Sequence, residues 1–153
     1  MFKNEYTLNK PLITEYVYSV LCKNIIIYGS ILAIFGFTIF IIIKEMAYLG
    51  LVMSILCLLI IAFCPLIMIR KLEESSKQLN NGTIEQTRIT FSDNIIMEEG
   101  KVHLEFEYSQ IKKIFKTKSF IVLMLKNNSA ILVSKEGFIN GTKEDFLQFI
   151  KDK

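Results

Sequence analysis

The side chains with chemistry to offer are few. His103 is the single histidine, and the three cysteines are Cys22, Cys57 and Cys64. Cys57 and Cys64 are seven residues apart, which puts them on one helix face but about 10 Å apart along the axis, too far for a disulfide. The set has no metal-ligand spacing, so all three read as reduced thiols. Around His103 runs Val102-His103-Leu104-Glu105-Phe106-Glu107-Tyr108. Strict alternation there places His103 with Glu105 and Glu107 on a polar strand face, the position of a surface histidine. With one histidine, no cysteine beyond Cys64 and no glycine-rich phosphate loop, none of the common catalytic constellations can be assembled. The expectation is a chain with no catalytic, metal or cofactor-binding residue, and no enzyme. The sharpest charge feature is Lys112-Lys113-x-x-Lys116-x-Lys118. Together with Arg70, Lys71 and Lys77 these lysines would suit anionic lipid headgroups, each contributing about 1 kcal/mol within a Debye length of the surface. The plainer alternative is a solvated strand edge, where lysines also block unwanted strand pairing. Nucleic acid is not an expected partner, because the C-terminal half is nearly charge-balanced and nucleic-acid binders are strongly basic.

What must position these residues follows from length and hydropathy. The chain has 153 residues, is 52% hydrophobic and carries a net charge of +3, with a mean hydropathy of +0.41. That is too apolar for an ordinary soluble protein and far too apolar for a disordered one. The average hides a split. Residues 24–43 and 46–69 contain no charged residue, whereas 1–23 and 70–153 are polar. About 20 apolar residues in a helix cross a bilayer core. Both stretches are read as transmembrane helices, joined at Lys44-Glu45 in a tight antiparallel hairpin. The polar first 23 residues and the long apolar run that follows do not make a signal peptide. Lysine and arginine flank the outer ends of the pair (Lys3, Lys10, Lys23; Arg70, Lys71, Lys77) and only Lys44 marks the tip. The positive-inside bias therefore puts both termini in the cytoplasm. Gly29, Ala33 and Gly36 in the first span, and Gly50 and Ser54 in the second, have the small-residue spacing of closely packed helices. They suit the hairpin's own interface, with a homodimer face as the lesser reading. Pro65 removes a ladder bond near the end of the second span and is expected to kink it. Neither span holds an ionisable carboxylate, amine or imidazole, which argues against a proton or ion pathway.

From Thr83 onward the pattern is that of strands. Ile84 to Phe91, Ile95 to Glu98, Val102 to Tyr108, Phe120 to Leu125 and Ala130 to Ser134 read as strands, with Ser92-Asp93-Asn94, Glu99-Gly100 and Asn127-Asn128 as turns. Ile111, Ile114 and Phe115 fit either a strand or a helical turn. Thr142-Lys143-Glu144-Asp145 opens a helix, with Thr142 as N-cap and Asp145 in place of the usual Glu or Gln of a capping box. Phe146, Leu147 and Ile150 follow at helical spacing. The sum is a small antiparallel sheet closed by a C-terminal helix, occupying residues 83–153. Phe2 to Leu8 offers a further strand on the same side of the membrane, and a short helix starting near Pro11 leads to the first span. The fold class is thus an α+β membrane protein, a two-helix hairpin plus a β domain. The triplets Asn81-Gly82-Thr83, Asn127-Asn128-Ser129 and Asn140-Gly141-Thr142 are read as chance sequons on the cytoplasmic side.

Several stretches together carry a resemblance. Phe2-Lys3-Asn4-Glu5-Tyr6-Thr7-Leu8 stands before the paired spans. Ile89-Thr90-Phe91-Ser92-Asp93-Asn94-Ile95-Ile96, Phe106-Glu107-Tyr108-Ser109-Gln110-Ile111-Lys112-Lys113-Ile114 and Ser129 to Phe138 follow in the polar domain. In this order they resemble the YcxB-like family of small bacterial membrane proteins, departing from its pattern at Gln110 and Ser134. The resemblance implies a pleckstrin-homology-like (PH-like) C-terminal domain and a bacterial inner membrane location. It implies no activity. The expected role is a non-enzymatic, membrane-anchored interaction module that binds a protein partner or the anionic inner leaflet. By analogy with other small bacterial membrane proteins, self-immunity to a bacteriocin is the alternative. The loop Ser92-Asp93-Asn94 carries no basic residue, so no inositol-phosphate pocket is expected there.

Overall fold

The computed structural model describes residues 1–79, 85–127 and 129–153, and divides into two compact units. Residues 1–15 and 73–153 form one, and residues 16–72 the other. The expected domain start at Thr83, the strand start at Ile84, the Asn81 sequon and the Asn128 half of a turn lie outside the described residues.

In the helical unit, helix α2 spans Lys23–Ile42 and helix α3 begins at Ala47, with a 3-10 turn over Lys44–Met46 between them. Chain entry to α2 is through helix α1 (Lys10–Tyr16) and a π turn over Val17–Leu21. That turn closes where the Cys22 N–H donates to the Val17 carbonyl at 2.7 Å. Asn9 caps α1, its Oδ1 accepting from the Leu12 N–H at 3.1 Å, and Pro11 sits in the first turn, where a missing N–H costs nothing. Helices α2 and α3 are each long and apolar enough to cross a membrane. At 1.5 Å per residue the 20 residues of α2 extend about 30 Å. Helix α3 does not stop where its apolar stretch ends at Ile69; it continues through Pro65 and on to Leu79, 33 residues in all. The added turns are rich in good helix formers, and an i,i+4 ion pair between Glu73 and Lys77 at 3.0 Å supports them.

In the β unit, the described residues form eight strands in two antiparallel sheets. The first holds β1 (Phe2–Thr7), β2 (Gln86–Phe91), β3 (Ile95–Glu99), β4 (Val102–Phe106) and β8 (Phe138–Asn140), in the order β4-β3-β2-β1-β8. The second holds β5 (Ile111–Lys116), β6 (Phe120–Leu125) and β7 (Ala130–Ser134), in that order. The N-terminal strand is thus internal to the first sheet, pairing Phe2 with Phe91 and Thr7 with Gln86 on one side and meeting β8 on the other. Three local expectations shift. The strand begun at Val102 ends at Phe106, because Tyr108–Gln110 forms a 3-10 turn. The β3–β4 loop is Gly100-Lys101, one residue later than expected, with Gly100 at φ +57°, a region glycine enters without penalty. Residues 111–116 resolve as strand.

Strand β6 is buried on both faces. On one of them Ile121, Leu123 and Leu125 join Ile89, Phe91, Ile95, Ile131 and Val133 in the main core, and helix α4 (Lys143–Lys151) closes it with Phe146 and Ile150. The Phe146 ring lies 4.6 Å from Phe91, 5.2 Å from Phe138 and 5.7 Å from Phe2. Helix α4 starts with a complete capping box. The Thr142 Oγ1 accepts from the Asp145 N–H, and Asp145 Oδ2 accepts from the Thr142 N–H, both at 3.2 Å. The shorter aspartate therefore does the work of the usual glutamate. Where β1 passes β7, the fully buried Asn4 carboxamide bridges the two sheets. Its Nδ2 donates to the Ser134 carbonyl at 2.7 Å and its Oδ1 accepts from the Ser134 N–H at 3.0 Å.

Candidate functional site

The lysine cluster sits on an edge strand. Among the described residues strand β5 pairs only with β6, which leaves its other edge without a strand there. The register slips between Ile111 and Lys113, a bulge centred on Lys112. A bulge adds a residue without a partner and re-aims its neighbours. Here it turns the consecutive Lys112 and Lys113 both outward while Ile111 and Ile114 pack on the core. Lys116 and Lys118 are exposed as well, and Phe115 among them is 41% exposed. None of the four ammonium groups takes part in an ion pair among the described residues.

The turn that follows β5 is held from two directions. The Lys135 ammonium donates to the Thr117 carbonyl and, at 3.1 Å, to that of Lys118. On α1, the Glu15 carboxylate accepts from the Ser119 N–H and from the Ser119 hydroxyl, each at 2.7 Å. Burial pushes the Glu15 carboxyl up, but hydrogen bonds from Thr117, Ser119 and the Lys118 backbone outweigh it and hold the group below its ordinary value. At the other end of β5, a groove of about 480 Å³ opens between the strand and the C-terminal end of α4. The Tyr108 ring stands at its edge. Its hydroxyl donates to the Ser92 carbonyl at 2.9 Å, and burial, reinforced by the Asp93 charge, pushes that hydroxyl up to about 12.

The other residues singled out by the sequence fall elsewhere. Arg70 and Lys71 are exposed on α3 in the helical unit, and Lys77, in the β unit, is engaged by Glu73. Within the helical unit the small residues lie at the α2–α3 contact. A Cβ on Gly36 would come within 2.9 Å of the Gly50 carbonyl, and one on Gly50 within 2.5 Å of the Gly36 carbonyl. Ala33 and Ser54 are buried beside them, with Ser54 Oγ 2.9 Å from the Ala33 carbonyl. Gly29 instead faces the Ile61 side chain, at 3.0 Å. His103 is exposed on β4, its Nδ1 3.3 Å from Glu98 on β3. The three cysteines are free, with Cys22 Sγ 3.7 Å from Met68 Sδ. No cluster of histidine, cysteine and carboxylate that could hold a metal occurs among the described residues. Sequence reasoning missed Glu15, Lys135 and Lys153, the last with its ammonium over the Tyr108 and Phe149 rings. Each acts across a long sequence separation or from a terminus, with no local pattern to mark it.

The class these features define is an α+β protein: two antiparallel sheets capped by one helix, on a chain with two helices apolar enough to cross a membrane. Within that class, the family model for YcxB-like protein matches residues 91–151, from the end of β2 through α4. The resemblance read from the motifs therefore stands over that stretch, which is YcxB-like and includes all four lysines of the strand edge. No curated protein and no solved structure matches the chain.

Proposed function

We propose that this protein is a non-enzymatic, two-pass protein of a bacterial inner membrane, with both termini in the cytoplasm and a PH-like module that docks on the anionic inner leaflet. The module reading draws on two stacked antiparallel meanders closed by a C-terminal helix. The membrane reading draws on the two long apolar helices and on lysine and arginine at their outer ends. The observation that carries the docking is the β5 edge, four exposed lysines without an ion-pair partner among the described residues. A tethered domain meets the leaflet at high effective concentration, so a modest per-lysine attraction suffices. The test is backbone hydrogen exchange over residues 111–118, with the full chain in nanodiscs of phosphatidylcholine alone or with phosphatidylglycerol. Slower exchange is expected only with the anionic lipid and at low salt. It should disappear when Lys112, Lys113, Lys116 and Lys118 are changed to Glu. Equal exchange in both lipids overturns the docking.

A further inference from the structure

The groove between β5 and the end of α4 has a composition of its own. Lys112 and Lys113 line it from the bulge, and Lys153 lines it from just beyond α4. The Lys153 ammonium is held over the Tyr108 and Phe149 rings, 5.4 and 5.6 Å from their centroids, a cation–π placement that fixes a flexible side chain. Among the described residues no Asp or Glu side chain lines the groove, and Ile111, Ile114 and Ile150 supply an apolar wall. None of the three lysines is ion-paired among the described residues. Three lysines lining one groove call for a compact anion, and the isoleucines call for an apolar group attached to it. An acidic peptide added as a further strand fits less well, because bulges and lysines are what keep extra strands off an edge.

We propose that this groove seats the phosphate headgroup of an anionic phospholipid, with the phosphate between Lys112, Lys113 and Lys153 and the adjoining carbons against Ile111, Ile114 and Ile150. The proposal builds on the docking reading above and gives it a specific ligand and seat. Docking alone needs only the lysine edge, whereas the groove needs Lys153, which lies off that edge.

The experiment is calorimetric titration of the full chain in phosphatidylcholine nanodiscs, with empty nanodiscs as blank. The probes are dihexanoyl phosphatidylglycerol below its micellar concentration, dihexanoyl phosphatidylcholine, glycerol 3-phosphate and hexaglutamate. Saturable, salt-sensitive binding of the phosphatidylglycerol alone is expected. Lys153→Gln should weaken it about tenfold, the value of one charge-assisted contact. Lys101→Gln, in the β3–β4 loop and outside the groove, should leave it unchanged. No saturable phosphatidylglycerol binding, or equal binding of phosphatidylcholine, overturns the proposal. So does wild-type affinity in Lys153→Gln. Equally tight glycerol 3-phosphate makes free phosphate the ligand, and tighter hexaglutamate makes it an acidic peptide; either result removes the lipid assignment. If exchange over 111–118 responds to anionic lipid while the titration is silent, the groove falls and leaflet docking stands. The reverse pattern retains the groove and removes the docking.

Discussion

Replacing Asn4 with Ala tests how the two sheets of the β unit are joined. The Asn4 carboxamide is fully buried and satisfies both backbone groups of Ser134, which is itself buried. In Asn4→Ala the Ser134 carbonyl keeps the Gly137 N–H at 3.3 Å, whereas the Ser134 N–H loses its Asn4 acceptor with no replacement in place among the described residues. An orphaned buried polar group costs about 1–3 kcal/mol, and the vacated volume adds to that unless the site collapses. Together the two bring the expected total to about 3 kcal/mol, which is about a hundredfold in an equilibrium constant. Native-state hydrogen exchange reads this locally. With the full chain in nanodiscs, protection of the β7 amides around Ser134 should fall by about two orders of magnitude. Ser134→Ala is the matched control, because the bonds to Asn4 use the Ser134 backbone and not its hydroxyl; it should cost about 1 kcal/mol or less. The reasoning fails if Asn4→Ala and Ser134→Ala lower protection equally, or if Asn4→Ala leaves it within threefold of wild type.

Three further outcomes are expected. Gly50→Ala should destabilise the helical unit by about 1–3 kcal/mol, since its Cβ meets the backbone of α2, whereas Gly29→Ala meets only the movable Ile61 side chain and should cost less; reversible unfolding in mixed micelles separates the two. Glu15 titrates below its ordinary value when folded, so its contribution is present above the unfolded pKa and is lost as pH falls through the folded one; rate-corrected exchange at Ser119 should rise with acidification below about pH 4.5, and Glu15→Gln should abolish that dependence. Thr142→Ala removes one half of the capping box and should cost about 1 kcal/mol, seen as earlier thermal loss of α4 protection, with Asp145→Ala giving a similar loss.

How much was legible depends on whether the signal was local. Strands β6 and β7 were readable at their observed limits because their apolar, β-branched runs are bounded by turn residues. The start of α4 was readable because a cap is written in four consecutive residues. The short strand β8 was missed; Phe138–Asn140 has too few residues for alternation to register, and its pairing with β1 lies at the far end of the chain. Whether Phe2 to Leu8 joined the sheet could not be decided from sequence, since the partners of β1 begin at Gln86 and Phe138. The continuation of α3 beyond the apolar stretch 46–69 was not legible, because hydropathy marks where apolar residues stop and not where the helix stops. At the lysine edge, composition identified the residues and the bulge decided their direction. The groove was invisible because it joins Lys112 and Lys113 to Lys153 through the fold alone.

The internal position of β1 has a consequence for the order of assembly. Synthesis proceeds at about 5–20 residues per second, so β1 leaves the ribosome several seconds before β2 and longer before β8. Throughout that interval it is a strand with neither neighbour, and the sheet closes only after both apolar helices have been made. A fragment confined to residues 85–153 would have the converse defect: a vacant slot between β2 and β8, with Phe91 and Phe146 deprived of Phe2. Such a fragment is a natural acceptor for strand complementation. Supplying residues 1–9 as a separate peptide should restore its two-sheet core, making the amino terminus a plug that can be added in trans.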